Sequence, residues 1–345
     1  MINYSVSAPV SEERIRWIDI LKALGLILVM IFHIHDTWFL NDYLRCFFIS
    51  IFFFAGGCVY RERDILQDLK HRARTLVVPY FVFGVLILIY WIVLERRFRP
   101  SASTPGRALV GLLLGEFKLL DFHSHLWFLP CYFSTSVLYN ALRVTTGKKG
   151  TSIAVLILSL LYAFGPLLGC RLPDLPWGLD RVCQYILYFE LGAALRESAK
   201  QRSLRKLSPT LCIPLGLAAL ALGYSLCSSV GEEGFMWFVC GMLGTAGCAL
   251  LSFAFERTEL IARPAERIAV TAIVTLCVHG PVYRILIKLL SMLMKTDTLS
   301  VRASFLLCCL VLITTLLICM LLYRLIVRCA PWIIGKTVRS QPENA

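Results

Sequence analysis

Four residues able to do chemistry sit in one stretch that is otherwise almost wholly apolar. Asp19 and Lys22 lie near the start of Trp17-Ile18-Asp19-Ile20-Leu21-Lys22, and His33 and His35 follow near the end of the same run. In a membrane-crossing helix each ionisable group costs several kcal/mol unless it is paired or wet, so each is a candidate for function. Asp19 and Lys22 are three residues apart and can pair on one helical face. Lys22 and His33 are eleven residues apart, close to three turns, which puts them on one face about 16 Å apart along the axis. A charged site at one end and an imidazole at the other suit a long ligand threading between helices. A phosphate-bearing carrier with a reactive far end has that shape. His33 can serve as a general base toward a hydroxyl, or it can be hydrogen-bonded to a neighbouring helix. His35, closer to the headgroups, is read first as a packing residue and second as part of the same cavity.

Further candidates follow along the chain. Arg72 and Arg74 precede Val77-Val78-Pro79-Tyr80. They are either a plain basic anchor or a phosphate clamp, because guanidinium forks grip phosphate bidentately. His279 interrupts an apolar run in Cys277-Val278-His279-Gly280-Pro281. Gly and Pro beside it loosen the local helix and point to a lined cavity. His123 and His125 precede Leu126-Trp127-Phe128-Leu129-Pro130 and could reach that cavity. Trp127, and Trp177 within Leu175-Pro176-Trp177, fit an outer aromatic belt, and Trp127 is also a candidate lining residue of the substrate cavity. Glu190, in Tyr188-Phe189-Glu190-Leu191-Gly192, either lines the cavity or pairs with a nearby Tyr, Arg or Lys.

The elements that must position these residues are membrane helices. The chain has 345 residues, 58% hydrophobic, with a mean hydropathy of +0.71, beyond the roughly 45–50% apolar content of soluble domains. The excess falls in stretches of about 20 residues, the length that crosses a bilayer as a helix. Ten spans are expected, at about 18–35, 44–60, 76–94, 125–143, 151–168, 181–196, 209–227, 235–255, 268–290 and 303–327. They make one all-α membrane domain over 1–345 with short tails at about 1–16 and 330–345. The apolar segment 107–120 is short and reads as an interfacial or re-entrant helix. The first span follows Arg14 and Arg16 and lacks a small-residue cleavage pattern, so it is expected to be retained.

The net charge of +13 lies in short loops, where topology accounts for it and nucleic acid does not. With the N-terminus inside, inside segments hold 22 Lys and Arg against 11 outside, which predicts cytoplasmic N- and C-termini. The loop 95–124, with Glu95-Arg96-Arg97 and Arg99 outside, runs against the trend. The 14 Cys show no CxxC or Cys/His ligand spacing and read as small packing residues; no metal is expected.

Taken in order, several stretches resemble the membrane acyltransferase-3 family, nearest its fucose 4-O-acetylase-like, polysaccharide O-acetyltransferase subgroup. They are Trp17 to Lys22 with His33 fourteen residues after Asp19, Phe52-Phe53-Phe54-Ala55-Gly56-Gly57, Arg72-Ala73-Arg74 before Pro79-Tyr80, Leu126 to Leu129, Leu175-Pro176-Trp177 and the late His279. They cover about residues 14 to 285. The resemblance implies a multi-pass enzyme of the inner or plasma membrane. Such an enzyme moves an acyl group, acetyl first, from acyl-CoA as co-substrate on the cytoplasmic side to a hydroxyl of a carbohydrate acceptor. It implies His33 as the catalytic histidine, with Asp19 orienting Lys22, and Lys22, Arg72 and Arg74 holding the donor's phosphates. Two departures stand out: Lys22 replaces the family's usual arginine and loses its bidentate fork, and Ala55 replaces a serine hydroxyl. A transporter or flippase of a lipid-linked glycan is the rival reading; it would move substrate without consuming coenzyme A.

Overall fold

The computed structural model describes residues 15–35, 39–99, 101, 103–169, 172–197, 208–227 and 234–336. The outermost parts of both expected tails (1–14 and 337–345) and most of the basic loop at 196–206 lie outside the described residues. Every regular element among the described residues is helical. Seven helices are long and apolar enough to cross a membrane, as expected of runs whose backbone polar groups can be satisfied only within the segment.

The first helix, α1 (Arg16–Ile34), is the central one. Its Trp17, Leu21, Leu26 and Met30 are buried. Next come α2 (Asn41–Phe47) and α3 (Ser50–Cys58), two short helices where the sequence reads one span over 44–60. Helix α4 (Ile65–Arg72) enters a π-turn over Ala73–Val77 before α5 (Val78–Val93). Pro79 explains the π-turn: it lacks the amide proton that the Thr75 carbonyl would need, and its ring crowds that carbonyl. The expected interfacial segment forms α6 (Pro105–Leu114), capped by the Thr104 side chain and closed by Gly115 in the left-handed region.

Helix α7 (Phe128–Phe164) is continuous in hydrogen bonding but broken at Gly147, with φ 66° and ψ −174°. Tyr139 Oη and Ser152 Oγ, on either side of the break, donate to the two oxygens of Glu190 at 2.5 and 2.6 Å. On one straight helix they would be about 20 Å apart, so the chain folds back at Gly147 into two antiparallel halves. The remaining helices are α8 (Leu179–Glu197), α9 (Pro209–Cys227), α10 (Phe235–Phe255), α11 (Glu259–Ala269), α12 (Ala272–Leu293), α13 (Thr298–Ala303) and α14 (Phe305–Cys329).

Helix α1 packs against α3, α10, α11, α12 and α14, so its polar residues face protein rather than lipid. Helices α3 and α8 meet backbone to backbone. A Cβ on Gly57 would lie 2.0 Å from the Phe189 carbonyl, and one on Gly192 would lie 2.1 Å from that of Phe54. The Ala55-Gly56-Gly57 stretch is therefore, first of all, a close-packing device between apolar helices. The described cysteines are free and all but Cys309 and Cys329 are buried, in keeping with a packing role.

A candidate active site where three imidazoles meet

The bundle has two chemically distinct ends. At the basic end Lys22 is half-buried and Asp19 is buried on α1. The charges of Lys22 and Arg196 both reach Cys58. That of Arg72 reaches the Tyr132 hydroxyl, which packs against Gly56. Lys22 and Arg72 thus face the same end of α3. Arg72 is not a bare phosphate ligand: its Nε lies 2.6 Å from Oδ2 of Asp68, which is itself buried. Asp68 escaped the sequence reading although the i,i+4 spacing to Arg72 was there to see. Arg74 sits exposed on the π-turn.

At the other end, His33, His125 and His279 come together although they belong to α1, the approach to α7, and α12. The His33 ring centroid lies 4.0 Å from that of His125 and 5.8 Å from that of His279, and His125 and His279 are 4.6 Å apart. One ring nitrogen from each lies within 4.8 Å of the others. They line a cavity of about 720 Å³ shared with Trp127, Tyr185 and Arg181. The Arg181 guanidinium stacks on the rings of Trp127 and Phe117, 4.6 and 4.9 Å from their centroids. The Lys118–Asp174 ion pair, exposed on both sides, sits at the cavity's edge.

The imidazoles are oriented from behind by a gap in the hydrogen bonding of α12, whose backbone stays helical throughout. Pro281 has no amide proton for the Cys277 carbonyl four residues earlier. His123, 1% exposed, donates its Nε2–H to that carbonyl at 2.6 Å. Its Nδ1 is then an acceptor, and His125 donates Nδ1–H to it at 3.3 Å. The Nε2 of His125 therefore carries a lone pair. His279 donates Nδ1–H to the Thr275 carbonyl at 2.8 Å, which likewise leaves Nε2 with its lone pair. Both Nε2 atoms are buried and have no hydrogen-bond partner among the described residues. Gly280 makes this possible, since a Cβ there would lie 2.5 Å from His123 Cε1 and 3.1 Å from His125 Nδ1.

Two arginine clamps hold the frame. Glu95 is fully buried. Its Oε1 lies 2.7 Å from Arg99 Nε and 2.8 Å from Arg284 Nε, close ion pairs without hydrogen-bond angles. Arg284 Nη2 also donates to Oε2 at 3.2 Å. Arg99 and Arg284 reach on to the Phe122 carbonyl, one residue before His123. The loop 95–124 that ran against the charge trend thus spends Arg99 on a buried carboxylate. Arg302 donates to the carbonyls of His33 and Ile34 at 3.0 and 3.1 Å, capping the end of α1 with a cation.

The structure gives the other candidates different surroundings. His35 lines a separate apolar groove between α1 and α14 with Ile31 and Phe305, because residues two apart on a helix face different ways. Glu190 has both oxygens engaged by Tyr139 and Ser152 and is not among the cavity residues. Asp19 is about 21 Å from His33 along α1, so it cannot touch a group that His33 touches. Trp127 lines the cavity rather than a lipid-facing belt. Trp177 adopts φ 60° and packs on Tyr80, Phe81 and Phe133.

Seven apolar helices long enough to cross a membrane and a cavity floored by three histidines define a multi-pass membrane protein with a candidate site. The chain belongs to the acyltransferase-3 family: the family's model, described as an acyltransferase domain, matches residues 15–324, nearly the whole chain. No curated protein and no solved structure matches it. It is a multi-pass membrane acyltransferase.

Pro281→Ala returns an amide proton to the Cys277 carbonyl and competes His123 away from it. Acyl transfer is expected to fall roughly ten- to hundredfold, the usual loss when a residue behind a functional histidine is removed, while thermal stability is kept or raised. An unchanged rate at equal folded yield would contradict the orienting role of His123.

Proposed function

We propose that this protein is an O-acyltransferase that moves an acyl group, acetyl first among the candidates, from acyl-CoA to a carbohydrate hydroxyl. The observation that carries the reading is the meeting of His33, His125 and His279 at the floor of an open cavity, in an acyltransferase chain. The donor enters at the basic end, where Lys22, Arg72 and Arg74 meet its phosphates. Its pantetheine arm runs beside α1, covering the roughly 16 Å between Lys22 and His33. Asp19 orients Lys22. The whole chain acts as one domain in the inner or plasma membrane, with ten passes and both termini cytoplasmic. The fold-back at Gly147, the α2–α3 pair and α8 supply the three passes beyond the seven long apolar helices.

The acceptor occupies the cavity. Sugar C–H faces stack on Trp127 and Tyr185, and hydroxyls meet Arg181 and Asp180. His33 takes the proton of one hydroxyl as its oxygen attacks the thioester carbonyl carbon. The carbon–sulfur bond breaks, and the proton passes to the departing thiolate, giving ester and free coenzyme A. The rings of His125 and His279 lie 4.0 and 5.8 Å from that of His33, near enough for their unmatched lone pairs to steady its charged form. The ordered motifs, which resemble those of the fucose 4-O-acetylase-like polysaccharide O-acetyltransferases, support a carbohydrate as the acceptor.

The test uses membrane vesicles from cells expressing the chain, supplied with labelled acetyl-CoA, and follows label entering glycan. His33→Ala and His33→Gln, at matched protein levels, are expected to lose at least about 100-fold of the rate, the contribution of a general base. Incorporation equal to wild type by both variants would overturn the assignment. In the same assay Arg74→Ala is expected to raise the KM for acetyl-CoA about tenfold with kcat nearly kept, as befits loss of one charge-assisted phosphate contact. An unchanged KM would remove Arg74 from the donor site.

A further inference from the structure

The imidazole cluster has a property that proton transfer alone does not require. A single base needs one lone pair, yet two more imidazoles lie with their rings 4.0 and 5.8 Å from that of His33. His125 and His279 have their second nitrogens committed to His123 and to the Thr275 carbonyl. Their Nε2 atoms are buried with no hydrogen-bond partner among the described residues. Leaving a buried imidazole nitrogen unmatched costs free energy that a ligand would return. Neutral imidazoles whose far N–H is held by a carbonyl or another acceptor are arranged as metal-binding histidines are.

We propose that His33, His125 and His279 form a binding site for a zinc-class divalent ion, with its fourth coordination position open to the cavity. Among the described residues the donor set is three imidazole nitrogens without a carboxylate. That set favours zinc, cobalt, nickel or copper and disfavours magnesium and calcium. Zinc–nitrogen bonds of about 2.0–2.1 Å in a tetrahedron place the ligand atoms roughly 3.3 Å apart. The three nitrogens lie within 4.8 Å of one another, so ring shifts of about 1 Å close the site. The ligands lie at positions 33, 125 and 279, which is why no local ligand spacing announces them.

The site shares His33 with the transfer reaction. An ion there takes the lone pair that would accept the hydroxyl proton, so ion and acceptor compete and the metal inhibits transfer reversibly. This consequence rests on the reading of His33 as the base; the binding itself does not.

The experiment takes full-length protein without a histidine tag, purified in detergent and stripped with a chelator. Cobalt(II) is titrated in, the visible absorption of its tetrahedral complex is read, and zinc is then added to displace it. One ion per chain is expected, with binding weakened at least tenfold by His125→Ala or His279→Ala. His279→Cys, which exchanges one ligand for another, retains binding and guards against variants that merely misfold. His71→Gln, a change at an exposed residue outside the cluster, leaves binding untouched. Absence of stoichiometric binding, or binding indifferent to both alanine variants, overturns the site. In the vesicle assay zinc is expected to suppress transfer and a chelator to restore it. Binding at the three histidines with transfer unaffected would overturn the competition and with it the base role of His33. Transfer that depends on His33 without any metal binding would overturn the site alone.

Discussion

The Cys277 carbonyl, left without its helical partner by Pro281, is the interaction on which the site's geometry turns. A buried carbonyl with no donor is costly, so some N–H must come to it. The donor is His123, and that one bond sets the tautomer of His123, then of His125, and so which nitrogen of His125 keeps its lone pair beside His33. The gap in the hydrogen bonding of α12 is thus the start of a hydrogen-bond chain that ends beside the candidate base. Gly280 is required for the same reason: the imidazoles occupy the space where a Cβ would be.

Around this chain the protein places its buried charges as braces rather than as reagents. Removing Glu95 would strand the half-buried Arg284 opposite an empty carboxylate site, a loss of the order of 3–5 kcal/mol for a broken buried pair. The brace joins the end of α5, the Phe122 carbonyl and α12, the parts that carry His123, His125 and His279. Arg302 does the same for α1 and His33. At the opposite end Asp68 restrains Arg72, so a donor phosphate would have to share that guanidinium with a carboxylate, whereas Arg74 has more open access to solvent.

What the sequence made legible was what one helix or one short motif contains. The relation of Lys22 to His33 follows from helical rise alone, and the Gly280-Pro281 pair next to His279 was visible as a cavity signal. The apolar spans were legible because lipid leaves the backbone one solution. Relations between distant segments were not. His125 and His279 could be named as cavity candidates, but nothing in their spacing shows that they meet His33. Glu190 pairs with a tyrosine, one of the two readings its sequence offered, and the fold-back at Gly147 adds Ser152 to it. His35 lines a different groove because two positions of helical phase turn it away from His33. The 95–124 loop looked anomalous because counting basic residues takes no account of a buried acid that claims one of them.

The central claim is that the hydrogen-bond gap at Pro281 fixes the imidazoles as neutral, defined tautomers, and nitrogen-15 NMR of histidine-labelled protein in bilayers reads this directly. The chain has only six histidines, so single substitutions assign each ring. At neutral pH the account predicts His123 protonated on Nε2, and His125 and His279 protonated on Nδ1 alone, with Pro281→Ala disturbing His123 and His125 while sparing His279. His123 protonated on Nδ1, or His125 protonated on Nε2, would contradict it.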